Sequence, residues 1–345
     1  MPMNWTRWCL SLSLALATVL AACSRGGSSS ASNAAAQFAT ASAASEPASV
    51  NGPIVLVRDQ RLLIRARDGT ERLLLRTPPN TFPSFPVWSP DGTRVAYVQA
   101  TLFTGQPGAD WGSDIYVAEV SGGEPRLVWK HAQAGEQVQG LAWTPDGKAL
   151  LLGYLHTRIE GGKYLGQTQR IERLELDGGR RSVLVEGGTF PSLTRDGARM
   201  AYLTQDASGQ GALWVAGADG SGAVALVSLG PEMPAILGPR VAPDGSAVAF
   251  AAPSPRAAVP RPSSAAEAGL HAAHGLPMEV WRVAVASRAL TRLTNFKEDE
   301  PYPAWTSDGT MLIALGAGGL YEIRPDGSQV RRIGEGSFGG QADVR

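Results

Sequence analysis

The sequence predicts an all-β fold: a six-bladed β-propeller with four antiparallel strands per blade, its ring closed by N- and C-terminal strands. Three observations carry that expectation. Five Asp-Gly pairs recur in one sequence setting at intervals near fifty residues. Short apolar segments flank each pair, with no amphipathic helical stretch between them. The array also begins with an incomplete unit and ends with a short remainder that complements it.

The pairs are Asp91-Gly92, Asp146-Gly147, Asp196-Gly197, Asp244-Gly245 and Asp308-Gly309, spaced 55, 50, 48 and 64 residues apart. Three residues before each aspartate stand Trp88, Trp143, Leu193, Val241 and Trp305. Five before stand Pro86, Leu141, Pro191, Pro239 and Pro303. Each unit reads as a hairpin, because Asp-Gly tolerates the positive φ angles of a tight turn between short strands. A second hairpin follows, opening with Asp114–Val117, Ile171–Leu176, Leu213–Ala216, Glu279–Val285 or Leu320–Arg324. Four strands per repeat of this length is a propeller blade.

The remaining elements set the blade count. Ile54–Val57, Leu62–Ala66 and Leu73–Leu75 give three strands with no Pro-x-Trp strand ahead of them. The segment after Ile333 is expected to supply the innermost strand and complete a sixth blade, which leaves only short edges exposed.

Pro86-Val87-Trp88-Ser89-Pro90-Asp91-Gly92 and Pro303-Ala304-Trp305-Thr306-Ser307-Asp308-Gly309 resemble the TolB-type WD40-like propeller repeat. The resemblance covers roughly residues 53–335 and implies the fold more strongly than any activity. TolB itself carries an additional N-terminal α/β domain, where this chain has a leader and a tether.

The N-terminus divides into a signal peptide, 1–22, and a tether, 23–50, before the propeller domain, 51–345. Arg7 precedes an apolar stretch from Cys9 to Leu20, shorter than the about 20 residues a membrane helix needs but suited to a secretory leader. Leu20-Ala21-Ala22-Cys23 resembles the lipobox of bacterial lipoproteins. The resemblance implies acylation of Cys23; ordinary signal cleavage with a free thiol is the alternative. Ser24 follows Cys23, which by the same resemblance favours the periplasmic face of the outer membrane. The Ser/Ala-rich residues that follow have little to bury and are expected to be disordered, with a reach of about 30 Å.

Composition narrows the function. Thirty-one Lys and Arg balance thirty-one Asp and Glu, against the basic excess that a nucleic-acid binder needs. The chain has no Gly-x-Ser-x-Gly elbow, His-Glu-x-x-His or phosphate-binding Gly-x-x-x-x-Gly-Lys. A non-enzymatic, monomeric protein without a cofactor is expected. Long connections all fall on the face opposite the Asp-Gly turns: 77–85, 100–113, 130–138, 155–168, 228–238, 253–277 and 295–302. Long loops in compact repeats commonly carry function.

On that face Phe82, Trp111, Tyr164, Glu298 and Glu300 are the candidate binding residues, the aromatics as anchors. Plugging between blades is the competing role for each aromatic, and a solvated charged loop for the two acids. The TolB resemblance implies that an acid near a blade's start points to the central channel. His271 and His274 are a weak candidate metal pair lacking a third ligand. The leading expectation is a lipid-anchored periplasmic binding or scaffold protein that recognises a protein or peptide. Its competitor is a sugar- or lactone-type enzyme or sensor, with converging channel acids and Ca²⁺ as an oxygen-ligated ion.

Overall fold

Each Asp-Gly turn is closed by the aspartate side chain as well as by its backbone. Ser89, Thr144, Thr194 and Thr306 hydroxyls donate to Oδ1 of Asp91, Asp146, Asp196 and Asp308 at 2.5–2.6 Å. The same Oδ1 accepts the backbone N–H two residues on, as from Thr93 to Asp91 at 3.0 Å. These bonds hold the Asp91 carboxyl down at about 2. Only the glycine takes positive φ, 66–74° in the five turns, so the paired positive angles anticipated from Asp-Gly reduce to one. The fourth turn has Ala242 where the others have a hydroxyl.

A computed structural model describes residues 50–101, 109–161, 163–206, 210–253, 277–295, 301–316, 318–335 and 341–345. Among these, 24 strands form six antiparallel four-stranded sheets. Blade 1 contains β1 (Ile54–Arg58), β2 (Arg61–Arg65) and β3 (Glu71–Arg76). Blade 2 is β4 (Thr81–Trp88), β5 (Arg94–Thr101), β6 (Gly112–Glu119) and β7 (Arg126–Trp129). Blade 3 is β8 (Glu136–Trp143), β9 (Ala149–Glu160), β10 (Lys163–Glu175) and β11 (Arg181–Glu186). Blade 4 is β12 (Gly188–Leu193), β13 (Arg199–Gln205), β14 (Gly211–Gly217) and β15 (Val224–Ser228). Blade 5 is β16 (Leu237–Val241), β17 (Ala247–Pro253), β18 (Met278–Ala284) and β19 (Leu290–Arg292). Blade 6 is β20 (Tyr302–Trp305), β21 (Leu312–Gly316), β22 (Gly319–Ile323) and β23 (Val330–Glu335).

The final strand, β24 (Ala342–Val344), pairs antiparallel with β1 and completes blade 1. The six-bladed expectation and its mode of closure therefore hold. Strands β24, β4, β8, β12, β16 and β20 each pack on the next and form the inner ring.

Apolar cores lie between blades rather than within them. Six clusters each join two neighbouring blades; one places Val87, Ile115 and Val117 against Leu141, Leu150 and Leu152. Another places Val50, Ile54 and Val344 against Ala304 and Ile313, so Val50, which the sequence places in the tether, packs with the propeller. Burying each such aliphatic side chain stabilises by about 1.5–3 kcal/mol. Trp143 Nε1 donates to Val87 O at 3.1 Å and Trp305 Nε1 to Arg240 O at 2.9 Å, which bolts one inner strand to the preceding one. The equivalent indole N–H of Trp88, at the seam where the chain ends meet, is buried without a partner among the described residues.

Of residues 155–168, expected from sequence to be a loop, 155–160 and 163–168 are instead strand. β9 and β10 pair from Ala149↔Glu175 to Glu160↔Lys163, with one bulge between Tyr164 and Gly166. The outer partners stop earlier, with β8 reaching only His156 and β11 only Arg170. Blade 3 thus projects a two-stranded ribbon on the long-loop face. Backbone pairing, rather than burial, holds it there.

Candidate functional site

Antiparallel pairing of β6 and β7 brings the start of one strand beside the end of the other, on the long-loop face. Asp114 and His131 meet there although seventeen residues apart. Oδ1 of Asp114 receives the His131 backbone N–H at 3.0 Å and lies 2.6 Å from Nδ1. Across the ring, Nε2 lies 3.0 Å from Asp110 Oδ1. The imidazole is 7% exposed, whereas Asp110 is 72% exposed. Burial disfavours the charged ring, but the two carboxylates outweigh it and raise the His131 pKa above its ordinary value. Because the acids occupy opposite ring nitrogens, they orient a cation rather than chelate a metal. No group of three His, Cys, Asp or Glu side chains among the described residues could hold a metal ion.

The surroundings are closely fitted. A Cβ on Gly112 would come 2.8 Å from the His131 ring. Trp111 is buried, and its carbonyl accepts the Gly135 N–H at 2.8 Å. Next to it Glu136 accepts from Ala132 N–H at 2.7 Å, Tyr154 Oη at 2.8 Å and Gln133 Nε2 at 3.3 Å. Burial raises the Glu136 pKa, yet these donors bring it below the usual value; burial and Glu136 push Tyr154 up to about 12. Glu136 is thereby engaged in holding the β7–β8 connection.

A pH dependence follows. A folded pKa above the unfolded value of about 6.5 gives stabilisation that is complete below that pH and lost as pH rises through the folded pKa. The melting-temperature deficit of His131→Gln should therefore be larger near about pH 6 than near about pH 9. A deficit independent of pH would show that the ring contributes shape alone.

Of the residues expected from sequence to bind, Phe82 sits half-buried on β4 opposite Ala100. Trp111 is buried at the His131 constellation, and Tyr164 lies half-buried on the blade 3 ribbon opposite Ile159. Glu298, Glu300, His271, His274 and Cys23 lie outside the described residues. Sequence reasoning missed Asp110, Asp114 and His131, which share no motif.

It also missed the waist of the channel. Three residues before each Trp-equivalent position stand Phe85, Gly140, Phe190, Gly238, Tyr302 and Gln341, one for each inner strand. Phe85, Gly140, Phe190 and Gly238 have positive φ, at 49°, 89°, 53° and 51°. Their strands bulge there, at Ser84/Val87, Val138/Leu141, Thr189/Ser192 and Leu237/Arg240. Positive φ is strained for phenylalanine. The two phenylalanine rings meet edge to face, 5.9 Å apart, although β8 intervenes between their strands. On the other side Arg240 Nη2 donates to Gln341 Oε1 at 3.3 Å, although β20 intervenes between theirs. Contacts that skip a blade run along the channel wall.

Asp343, on β24, accepts the Trp88 backbone N–H through Oδ2 at 2.8 Å. Ser192 does the same for Val241 in blade 5, at 3.1 Å. Burial raises the Asp343 pKa, partly offset by the Arg240 charge and the Trp88 bond; burial also lowers the Arg240 pKa, partly offset by Asp343. The signal available in sequence was positional. At the residue before each Trp-equivalent the repeats read Val87, Ala142, Ser192, Arg240, Ala304 and Asp343.

Comparison with known proteins agrees on the fold. No family model matches the chain, and no curated protein does. TolB from Acinetobacter baumannii is similar at TM-score 0.58 and 18% identity, over 86% of this chain and 67% of that one. A chain of a Nidogen/Laminin complex is similar at TM-score 0.60 and 12% identity, over 85% and 98%. A puromycin hydrolase, crystallised as an S511A mutant with PGG, is similar at TM-score 0.51 and 17% identity, over 87% of this chain and 49% of that one. This chain thus has the six-bladed propeller fold seen in TolB, and it spans about half of the hydrolase.

Proposed function

We propose that the chain is a lipid-anchored periplasmic binding or scaffold protein that recognises a protein or peptide through its long-loop face. The difference between the two faces carries this reading. Every connection on the Asp-Gly face has five or six residues, between 66–70 and 324–329, and closes on itself through side-chain and backbone bonds. The opposite face holds the strand ends that the connections 102–111, 229–236 and 254–277 join, the blade 3 ribbon and the Asp110–His131–Asp114 constellation. Long connections and mixed aromatic and charged side chains suit recognition of a peptide or protein surface. The fold is shared with TolB and with a chain from a Nidogen/Laminin complex, consistent with a binding role.

Anchoring rests on Cys23 in its lipobox setting and a tether long enough to clear the membrane. One experiment tests both parts. The full chain and a Cys23→Ala variant are expressed at native level, envelope fractions are separated, and partners are captured after crosslinking. Wild-type protein should fractionate with the outer membrane and retain a specific partner, which is lost when 295–302 is shortened. Cys23→Ala should leave the membrane fraction or accumulate as precursor. Normal processing and membrane retention of that variant would overturn the anchor, and absence of any specific partner would overturn the scaffold reading.

A further inference from the structure

We propose that Arg240 makes the waist of the central channel a subsite for a carboxylate. Such a subsite is independent of what the long-loop face binds.

Arg240 occupies a column of the repeat that is otherwise small or apolar, apart from Asp343. A guanidinium has five N–H donors in a planar fork that matches a carboxylate. Among the described residues, the side-chain hydrogen bond that Arg240 makes is the single one to Gln341 Oε1, at a long 3.3 Å. The side chain is half-buried, set deep in the ring yet still touching solvent. Asp343 is the opposite charge that acts on it, but the Asp343 Oδ2 is engaged in holding the Trp88 N–H. Arg240 therefore keeps guanidinium donors that make no hydrogen bond to a counter-ion among the described residues.

The walls favour the same occupant. Ala304, on the strand between Arg240 and Asp343, is buried and brings no charge to compete with theirs. Gly238 lies in the same strand as Arg240, where a Cβ would collide with Tyr302 at 2.3 Å and approach Gln341 Nε2 at 3.4 Å. Gln341 and Arg240 lie on the arc of the inner ring from blade 5 to blade 1, and the Phe85–Phe190 pair spans the arc from blade 2 to blade 4. An apolar wall facing a few polar groups is the usual composition of a small-ligand site. A carboxylate joined to a compact body fits both sides at once. Two sources share that chemistry: the C-terminus of a peptide and a sugar acid.

The test uses the full chain and four probes: N-acetylglycine, N-acetylglycinamide, glucuronate and glucose. Binding is followed by the Arg240 Nε–H resonance, assigned by its loss in Arg240→Lys, and by melting temperature. At least one acid should give a saturable shift at millimolar concentration while its neutral counterpart gives none; which acid does so identifies the source. Arg240→Lys, which keeps the charge and loses the fork, should weaken that acid by about ten-fold or more. Asp343→Asn, which removes a competing anion and keeps an acceptor for Trp88, should tighten it. If neither acid saturates, if neutral probes act equally, or if Arg240→Lys binds as tightly as wild type, the subsite is overturned. The acid-against-neutral comparison is made on wild-type protein, so it stands even where a variant folds poorly.

Discussion

Deleting Gln341–Arg345 is expected to lower the melting temperature by about 10 °C or more and to broaden the transition. These residues place β24 against β1, with Ala342 opposite Leu56 and Val344 opposite Ile54. Ala342 and Val344 are buried at 2% and 6%, so their removal opens one apolar cluster and unpairs one edge of β1. Burial of one valine at about 1.5–2 kcal/mol and several hydrogen bonds at about 1 kcal/mol each come to about 5 kcal/mol. Losing Asp343 also orphans the Trp88 N–H and removes the negative charge that acts on Arg240. Arg345 adds a bond from Nη2 to Asp91 O at 2.9 Å and one from its backbone N–H to Pro53 O at 3.1 Å. Thermal unfolding followed by circular dichroism reads the result. A truncated chain melting within a degree or two of wild type would mean that the ring is held by its other five interfaces alone. The point variant Asp343→Ala should account for part of the loss, and Asp343→Asn for less.

The same closure explains which features were legible in sequence. The five hairpins were, because Asp-Gly and the large apolar residue three positions before it recur together and act locally. β24 was inferred by counting, since three strands at one end required a fourth from elsewhere. The blade 3 ribbon was not legible. Between Leu155 and Gln169 the apolar residues are only Ile159, Tyr164 and Leu165, the last exposed, so the pattern shows little of the ribbon that backbone pairing holds. The His131 constellation depends on which strand ends adjoin, a matter of tertiary pairing. Arg240 and Asp343 lie 103 positions apart and approach only when the ring closes. Comparing the same column across repeats exposes them, since charge there breaks an otherwise small and apolar series.

Gly238→Val is expected to be the most damaging single substitution at the waist, costing about 3–5 kcal/mol. Two effects add. At φ +51° a side chain with a branched Cβ is forced into the left-handed region, and that Cβ would sit 2.3 Å from Tyr302 Cδ1. The Tyr302 ring is 9% exposed and cannot swing into open solvent. Gly222 offers the control: its φ is +62°, and nothing lies within 4 Å of an added Cβ. Gly222→Ala should therefore cost only the backbone penalty, about 1 kcal/mol. Gly238→Ala adds the collision to a similar backbone penalty, so the difference between the two alanine variants isolates crowding at the waist. Urea unfolding midpoints, with unchanged slopes, provide the measurement. Equal losses at the two positions would show that the inner ring relaxes around the new methyl group. A larger loss at Gly238 would establish that Tyr302, Gln341 and the bulged strand β16 pack as one unit. In that case a change at Gly238 should also displace Gln341 and, through it, the Arg240 guanidinium, so the stability defect and a weakened acid response should appear together.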